Sequence, residues 1–544
     1  MNYLKALVIC LWLLFVTRGL FYCLALPLWE GFDEPYQFAV VQHVAFTGTL
    51  PNRSTPVSRQ VAASLYLSPA PWMLREHHLP KQVMSQEQYW ALPDDERREL
   101  RRKLLSLPSL WANEPSQPAI QNYEAQQAPL YYFMAAPILR GLQRATLPTQ
   151  VIALRIFGML LASLAIPLGY AVALRALGSV RAALMTTALA IVMPELFINV
   201  CRVSNEPLAM LLGTGLLLLV VRFVTSGRRL IYVPAIAIVF ALALLSKAYF
   251  LALLPAIAFV LWWKLRQDHK AAHVLASTTL ALAILVAVAG PWYWRAHKAS
   301  GSWSGETNDA AAAHMSLFHL LAQVPHVNWR SGLSSIVGSH IWFGGWSFLR
   351  LPTWMYITVA LLAAVPALGI VSYISKWLRS GLRPDPIIAV VSLYACFWAG
   401  LCYHVLVTYI HLGISASTGW YLYSLVFAET VLVVKGFEEV AGRAALRWAL
   451  PSAVALLAVI DLYGLHALML PYYAGQIAHA GERVYQVPFW TFRAGHIFAR
   501  LSSTGPEWLT PGILQSAWLM YLAATASAMA MVWAVARADK RFRC

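Results

Sequence analysis

Two adjacent carboxylates, Asp33 and Glu34, lie in the segment 29–36, just past the first hydrophobic stretch of the chain. A polar segment of about 120 residues separates them from the next stretch that is long and apolar enough to span a membrane. A carboxylate at a water–lipid boundary can act as a general base on a substrate whose other half stays in the lipid. The placement therefore favours chemistry at a membrane surface over transport through a membrane.

Other ionisable residues lie within or beside hydrophobic stretches. A charge is energetically costly there, so such residues are first considered as functional candidates. By the topology derived below, most fall in the outer half of the membrane or at its outer boundary: Arg18, Arg155, Glu195, Arg202, Glu206, Lys247, Arg295, His404 and Asp461. Transporters bring polar groups to the midplane and show two related halves. Glu429 alone falls near mid-depth, so the outer bias predicts one cavity of mixed charge that opens to the outer face.

Two of these cations, Lys247 and Arg295, stand at the ends of hydrophobic stretches, where the phosphate of a lipid would lie. Arginine supplies bidentate contacts to a phosphate and lysine a point charge. The alternative is that both side chains reach to the headgroups as ordinary anchors.

The composition places the chain in a membrane. Apolar residues make up 59% of the 544 and charged residues 12%, with a mean hydropathy of +0.58, whereas about a quarter of the residues of a soluble protein are charged. We predict an all-α polytopic membrane protein with about 12 transmembrane helices and a large external loop of juxtamembrane helices after the first. The predicted spans are 5–26, 150–174, 181–200, 207–223, 229–246, 248–265, 271–292, 353–375, 386–408, 420–437, 448–469 and 512–535.

The net charge of +17 reflects topology rather than a nucleic-acid surface, because every alternate connection between spans is basic. This pattern places both termini in the cytoplasm and Asp33 outside. We predict a multi-pass protein of a bacterial inner membrane whose site faces the periplasm or outside, with an organelle lumen as the alternative outer side. The basic residues are Arg175, Arg181, Arg222, Arg228, Arg229, Lys264, Arg266, Lys270, Lys376, Arg379, Arg383, Lys435, Arg443, Arg447, Arg537, Lys540, Arg541 and Arg543.

Three external segments follow from the same rule: 28–149, 297–352 and 471–511. We divide the chain into a catalytic module, 1–300, and a C-terminal transmembrane module, 301–544. Within the first external segment the pattern predicts an amphipathic helix over 34–46, a charged helix over 86–107 and a short apolar helix ending near Leu142 that lies in the membrane interface.

Six short motifs of the first 300 residues resemble, in order and topology, those of the GT-C superfamily of integral membrane glycosyltransferases. This superfamily includes protein O-mannosyltransferases and the aminoarabinose transferase of lipid A. The motifs are Phe-Asp-Glu-Pro-Tyr at 32–36, Gln-Gln-Ala-Pro-Leu-Tyr-Tyr at 126–132, Leu-Arg-Ile-Phe-Gly at 154–158, Val-Ser-Asn-Glu-Pro at 203–207, Leu-Ser-Lys-Ala at 245–248 and Pro-Trp-Tyr-Trp-Arg at 291–295.

The resemblance implies a donor in which a sugar is carried on a polyprenyl phosphate. Asp33 would take the proton of an acceptor hydroxyl as that hydroxyl attacks the anomeric carbon with inversion. The lipid phosphate is a stable leaving group, so positive charge or a divalent metal ion need only hold it. The substrate-binding residues implied by the motifs are Glu34, Glu124, Arg155, Asn205, Glu206, Lys247 and Arg295, with Glu124 and Glu206 as metal candidates.

Each acidic residue has a structural alternative. Asp33 is also a favoured N-cap for the helix that follows it, and Glu34 is also suited to stabilise the first turn of that helix. Glu124 and Glu206 would bind a metal or orient hydroxyls, or else form structural ion pairs. Two positions depart from the family pattern: Ala128 replaces the first proline of a Pro-Pro pair, and Trp420 replaces an arginine near the tenth span.

Three other functions fit parts of the pattern. One is a transporter or flippase of a lipid-linked substrate, another is an oligosaccharide ligase or polymerase with a diphosphate-linked donor, and the third is an inactive transferase that serves as a partner subunit. The acceptor is a lipid, a glycan or a protein, and the sequence favours none of the three.

Overall fold

The computed structural model describes residues 2–77, 79, 82–226, 230–268, 271–442, 444–481, 483–485, 488 and 491–537. Several basic residues used for the topology lie outside the described residues: Arg228, Arg229, Lys270, Arg443, Lys540, Arg541 and Arg543. The described chain is mostly helical. A two-stranded antiparallel hairpin pairs β1, His479–Ala480, with β2, Arg483–Val484.

The α-helices in chain order are α1 Asn2–Ala25, α2 Glu34–Thr47, α3 Arg59–Leu67, α4 Trp72–His77, α5 Gln86–Ala91, α6 Asp94–Leu105, α7 Leu130–Gly141, α8 Leu147–Ser163, α9 Ala165–Leu177, α10 Val180–Ile191, α11 Pro194–Val200, α12 Glu206–Thr225, α13 Tyr232–Leu244, α14 Leu254–Asp268, α15 Ala271–Val288, α16 Gly290–Ser300, α17 Thr307–Ala312, α18 Leu317–Gln323, α19 Trp329–Ile341, α20 Thr353–Arg379, α21 Pro386–Leu412, α22 Val426–Ala441, α23 Leu450–Tyr463, α24 Leu470–Tyr473, α25 Ala494–Thr504 and α26 Pro511–Arg537. Short 3₁₀ helices cover Ser109–Ala112, Tyr123–Gln126, Ala248–Leu253, Val324–His326 and Gly419–Leu425, and π-helical turns cover Ala445–Ala449 and Gly464–Met469.

Among the described residues, nine helices are long and apolar enough to cross a membrane. Two pairs of helices pass the same criterion only when taken together, and each is bent at its break: α10 with α11 by 64° and α15 with α16 by 56°. Prolines near each break, Pro194 and Pro291, lack the N–H that would continue the helix. The predicted span 229–246 corresponds to the 13-residue helix α13. All twelve predicted spans thus have helical counterparts, and the prediction of an all-α multi-pass membrane protein is confirmed.

The first external segment folds into α2 to α7 and the turns between them. The predicted helix over 34–46 is present as α2 and ends at Gly48, whose φ of 71° suits glycine. The prediction that this helix is amphipathic was wrong, because the helix packs against α7 and nearly all of its faces are buried. The predicted helix 86–107 is two helices, α5 and α6, because Pro93 interrupts the hydrogen bonding between them. The predicted apolar helix is α7.

A separate hydrophobic core lies under the first external segment and includes Trp29, Phe38, Tyr131 and Trp346. The loop that carries the acidic motif passes over this core between α1 and α2. Its carboxylate Glu30 is fully buried and accepts hydrogen bonds from the backbone N–H of Ser347 at 2.9 Å and from its hydroxyl at 3.0 Å. The loop of residues 29–33 is therefore fastened to the external loop 342–348.

Candidate active site

One cavity of about 220 Å³ opens where the first external segment meets the ends of several spans. Its polar wall consists of Asp33, Gln37, Glu124, Gln127, Arg202, Ser204, Glu206, Lys247, Ser304, Glu306 and Asp309. Its other wall is mainly apolar and aromatic and consists of Ala248, Tyr249, Leu251, Ala252, Phe397, Gly400, Leu401, Tyr403, His404, Trp420 and Tyr421. The cavity therefore suits a ligand with a polar and an apolar end.

Asp33 reaches this cavity because of its backbone conformation. Its φ of 59° and ψ of 11° place it in the left-handed region, which aspartate tolerates better than most residues. Although it occupies the N-cap position of α2, its side chain makes no capping hydrogen bond. The carboxylate instead accepts a hydrogen bond from the hydroxyl of Tyr123. The structure thus places Asp33 in the cavity and not in the capping role that was its alternative.

The pKa of Asp33 is raised, because burial penalises the charged carboxylate by more than Tyr123, Arg202 and Lys247 stabilise it. Glu124 lies in the 3₁₀ turn Tyr123–Gln126 and accepts a hydrogen bond from Gln37 Nε2. Its pKa is raised well above the ordinary value, first by burial and then by the negative charge of Asp33. A proton is therefore held more readily by Glu124 than by an exposed glutamate.

Lys247 is one of the two buried cations of the cavity. It stands in extended backbone between α13 and the 3₁₀ helix Ala248–Leu253, and its Nζ lies 3.2 Å from Glu206 Oε1. Burial is the largest single influence and lowers its pKa, but the charges of Glu206, Tyr421, Glu124 and Glu306 together outweigh burial, so the pKa is raised and the ammonium is retained. The rings of Tyr249 and Tyr421 lie 5.9 and 5.7 Å from Nζ. Lys247 therefore keeps a positive charge on the polar wall, close to the tyrosines of the aromatic wall.

Asn205 lies directly behind the cavity wall and does not line the cavity. Its Nδ2 donates to Gln127 Oε1 at 3.2 Å and to the Ser246 carbonyl at 3.0 Å. It thereby joins the start of α12 to the segments that carry Glu124 and Lys247. This geometry is a positioning role, in contrast to the direct substrate contact that the motif implied.

Glu34 and Arg155 lie away from the cavity and pair with each other. Arg155 donates to Glu34 at 2.7 and 2.5 Å and to the carbonyls of Leu26 and Pro27. Glu34 also accepts from the Val203 N–H at 3.0 Å. Both side chains are buried, so the pair fixes the end of α1 against α8 and the start of α2 rather than facing a ligand.

Arg295 does not line this cavity either, because it lies on α16 and borders a separate groove. Of the predicted site residues, the cavity therefore contains four: Asp33, Glu124, Glu206 and Lys247.

Three charged residues of the cavity, Arg202, Glu306 and Asp309, were not among the predicted site residues. Arg202 donates to the Phe32 carbonyl at 2.6 Å and to Asn199 Oδ1 at 2.8 Å, which holds its guanidinium beside Asp33. Glu306 enters from the second external segment and accepts from Gln127 Nε2 at 3.3 Å. The signal for Arg202 was its position at the outer boundary of a span, one residue before the motif at 203–207.

A divalent metal ion was predicted with Glu124 and Glu206 as candidate ligands, and both side chains have protein partners. Glu206 is paired with Lys247 and accepts from the Tyr249 hydroxyl at 2.8 Å, while Glu124 is held by Gln37. Within the described part of the chain, no group of three His, Cys, Asp or Glu side chains converges as metal ligands would. We therefore derive no step through a metal.

Comparison with known proteins gives structural matches. No family model matches the chain, and no curated protein matches its sequence. Its structure is similar to ArnT from Cupriavidus metallidurans bound to undecaprenyl phosphate, with a TM-score of 0.46 and 13% identity over 98% of this chain and 77% of that chain.

The oligosaccharyltransferase of Archaeoglobus fulgidus also matches, with a TM-score of 0.45 and 11% identity over 88% of this chain and 56% of that chain. A second structure of that protein, AglB in complex with an inhibitory peptide and a dolichol-phosphate, has a TM-score of 0.35 and 13% identity over 80% and 54%. ArnT and AglB are both GT-C glycosyltransferases. Because these TM-scores are below 0.5, we take the activity of this chain from its own site.

Proposed function

We propose that this protein is a membrane glycosyltransferase that moves a sugar from a polyprenyl-phosphate donor to an acceptor hydroxyl at the outer face of the membrane. The observation that carries the proposal is the position of Asp33. Its carboxylate faces a cavity that holds two buried cations on the same polar wall and an apolar wall opposite. Such a cavity suits a donor whose phosphate lies between a sugar and a hydrocarbon chain.

The apolar wall supports a lipid substrate because of its depth. Phe397, Gly400 and Leu401 lie on α21, whose last residue is Leu412. At about 1.5 Å per helical residue, Leu401 lies about 16 Å from that end of the helix. If α21 spans the membrane with Leu412 outside, as the basic connections predict, acyl chains surround the helix at this depth. A hydrocarbon chain can therefore lie beside the polar wall without crossing water.

The reaction follows from the groups that face the cavity. The acceptor hydroxyl loses its proton to Asp33 as its oxygen forms the new bond to the anomeric carbon. The bond between that carbon and the lipid phosphate oxygen breaks, and the phosphate leaves with the electron pair. Attack opposite the leaving group inverts the anomeric centre. Lys247 and Arg202 supply positive charge for the phosphate that develops, so no strong acid is required.

The test is Asp33→Asn, which keeps the size of the side chain but removes the base. We expect transfer to fall by about 10²-fold or more. Lipid-linked sugars and cell-surface glycans would be measured by mass spectrometry in a strain that lacks the gene and in strains that carry each variant. A sugar on polyprenyl monophosphate should accumulate with the deletion and with the variant.

The matched control is Asp385→Asn, since Asp385 caps α21 by accepting from the Ile387 and Ile388 N–H groups and asparagine caps equally well. Full transfer by a normally inserted Asp33→Asn protein would contradict the role of Asp33. Accumulation of a diphosphate-linked sugar would support the ligase alternative, and transport without transfer in proteoliposomes would support a transporter.

A further inference from the structure

A second groove, with a volume of about 330 Å³, lies beside the candidate active site. One wall is the loop 51–54 after α2, another is α16 from Trp292 to Ser300, and the floor is formed by Ala125, Gln126 and Gly305. None of the roles described above uses this groove.

The groove and the active-site cavity share a thin wall. In the segment 124–127, Glu124 and Gln127 line the cavity, whereas Ala125 and Gln126 line the groove. Likewise Gly305 lines the groove, while the residues on either side of it line the cavity. Arg53 Nη2 donates to the Gly305 carbonyl at 2.5 Å. A ligand that contacts Arg53 therefore contacts a side chain that is hydrogen-bonded to the backbone next to Glu306.

Two arginines give the groove its charge. Arg53 is half-buried and Arg295 is exposed, with its guanidinium 5.8 Å from the ring of Trp292. Among the described ion pairs neither arginine lies within ion-pair distance of a carboxylate, although the charge of Arg53 acts to lower the pKa of Glu306. Of the two guanidinium groups, only that of Arg53 donates a hydrogen bond within the described residues, through Nη2 to the Gly305 carbonyl, so both keep donors for a ligand. Planar guanidinium groups bind phosphate in bidentate fashion. Two of them in one concave site therefore match a phosphate group better than a neutral saccharide.

The position of α16 places the groove at the membrane boundary. The helix bends by 56° from the apolar helix α15 that precedes it. Trp294 on α16 and Trp303 just after it are 54% and 55% exposed, and their rings lie 6.3 Å apart. Tryptophan side chains in this arrangement are typical of headgroup depth. Headgroup phosphates lie at the same level.

We propose that this groove is a binding site for a phosphate group, separate from the donor phosphate of the transfer reaction. The phosphate belongs to a lipid headgroup or to a soluble phosphorylated compound, and Arg53 and Arg295 hold it. Binding there does not require the transfer reaction, so the site can be tested in a protein that carries Asp33→Asn.

The test uses the purified full chain. Native mass spectrometry would count retained phosphatidylglycerol against retained phosphatidylcholine, and thermal unfolding would be followed with inorganic phosphate against chloride at equal ionic strength. Arg53→Gln and Arg295→Gln should each weaken retention or stabilisation about tenfold, as expected for a lost charge-assisted contact. Lys298→Gln is the matched control, because Lys298 lies on the same helix over Trp294 and does not line the groove.

The two probes distinguish the sources of the phosphate. Arginine-dependent retention of phosphatidylglycerol assigns the site to a lipid headgroup, and arginine-dependent stabilisation by inorganic phosphate alone assigns it to a soluble compound. Equal loss in Lys298→Gln, or binding that neither arginine affects, would overturn the proposal. Because Arg295 is exposed and makes no hydrogen bond with the described residues, its substitution tests the site even if Arg53→Gln unfolds.

Discussion

At the scale of single residues, the cavity acids are close enough to alter one another's titration. A general base works in its deprotonated form, so a raised pKa of Asp33 moves the acid limb of the pH–rate profile upward from that of an ordinary aspartate. The negative charge of Asp33, together with burial, raises the pKa of Glu124 well above its ordinary value, so Glu124 keeps its proton while Asp33 ionises.

Glu124→Gln tests this linkage. Glutamine imitates the protonated form that Glu124 keeps while Asp33 ionises, so the acid limb should stay in place. The measurement is the initial rate of transfer against pH for both proteins, with Glu87→Gln, on a helix away from the cavity, as the control. An acid limb that moves to lower pH would mean that Glu124 is charged while Asp33 titrates, which contradicts this order of ionisation.

Glu30 provides a second prediction at this scale, on stability. Burial raises the pKa of Glu30 to about 8, so at neutral pH the folded protein holds it mostly protonated. The unfolded chain releases that proton near the ordinary value, so the free energy of unfolding falls as the pH rises from about 4.5 to about 8. Glu30→Gln imitates the protonated acid and should remove most of this fall.

Glu30→Ala leaves the N–H and hydroxyl of Ser347 without their partner and should cost about 2–4 kcal/mol. Thermal unfolding of the detergent-solubilised protein across this pH range measures both effects. If the alanine variant is as stable as the glutamine variant, Glu30 does not fasten the loop 29–33.

At the scale of elements, the 3₁₀ helix Gly419–Leu425 carries the aromatic wall of the cavity, including Trp420 and Tyr421. It sits so close to α19 that a Cβ at Gly419 would lie 1.8 Å from the carbonyl oxygen of Ile336. This backbone oxygen cannot move aside as the end of a flexible side chain can. The absence of a side chain at Gly419 therefore sets the distance between the two elements.

Gly419→Ala should push this 3₁₀ helix away from α19, and we expect transfer to fall together with a loss of about 2 kcal/mol or more in stability. The control is Gly338→Ala on α19, where a Cβ would meet nothing within 4 Å and helix propensity favours alanine by up to about 1 kcal/mol. Transfer and unfolding temperature would be measured for both. Equal behaviour of the two variants would contradict the tight contact.

At the scale of the whole molecule, a buried charge network ties the first span to the last two. Arg18 Nη2 on α1 lies 2.6 Å from Asp461 Oδ2 on α23, and the hydroxyls of Tyr22 and Tyr521 donate to the same carboxylate at 2.7 and 2.5 Å. All four side chains are almost fully buried. The network joins the predicted modules 1–300 and 301–544 at a distance from the cavity.

Asp461→Leu leaves Arg18 buried without its counter-ion and should destabilise the protein by about 3–5 kcal/mol. The double variant Arg18→Leu with Asp461→Leu removes both charges and should recover much of that loss. Unfolding in mixed micelles measures the stability, and the rate per folded molecule should stay near the original. A single variant as stable as the parent would show that the ion pair contributes little.

The membrane spans and the end of α2 at Gly48 were predictable from the sequence, because each depends on neighbouring residues. The bends near Pro194 and Pro291 were not predicted, since 181–200 and 271–292 were expected as continuous spans. Hydropathy sums over a local window, and proline and glycine act on their own backbone. The amphipathic pattern predicted for α2 from its own residues was wrong, because segments distant in the sequence pack around the helix and bury nearly all of its faces.

The partners of each charge were decided by the tertiary structure. Asp33 and Glu34 are neighbours in sequence, yet the left-handed backbone at Asp33 turns one carboxylate into the cavity while the other pairs with Arg155. Arg202 and Glu306 come to the same cavity from distant parts of the chain. Charged side chains interact through space and not along the sequence. The sequence by itself therefore determined which charged residues the protein has, and long-range packing determined which of them contact one another.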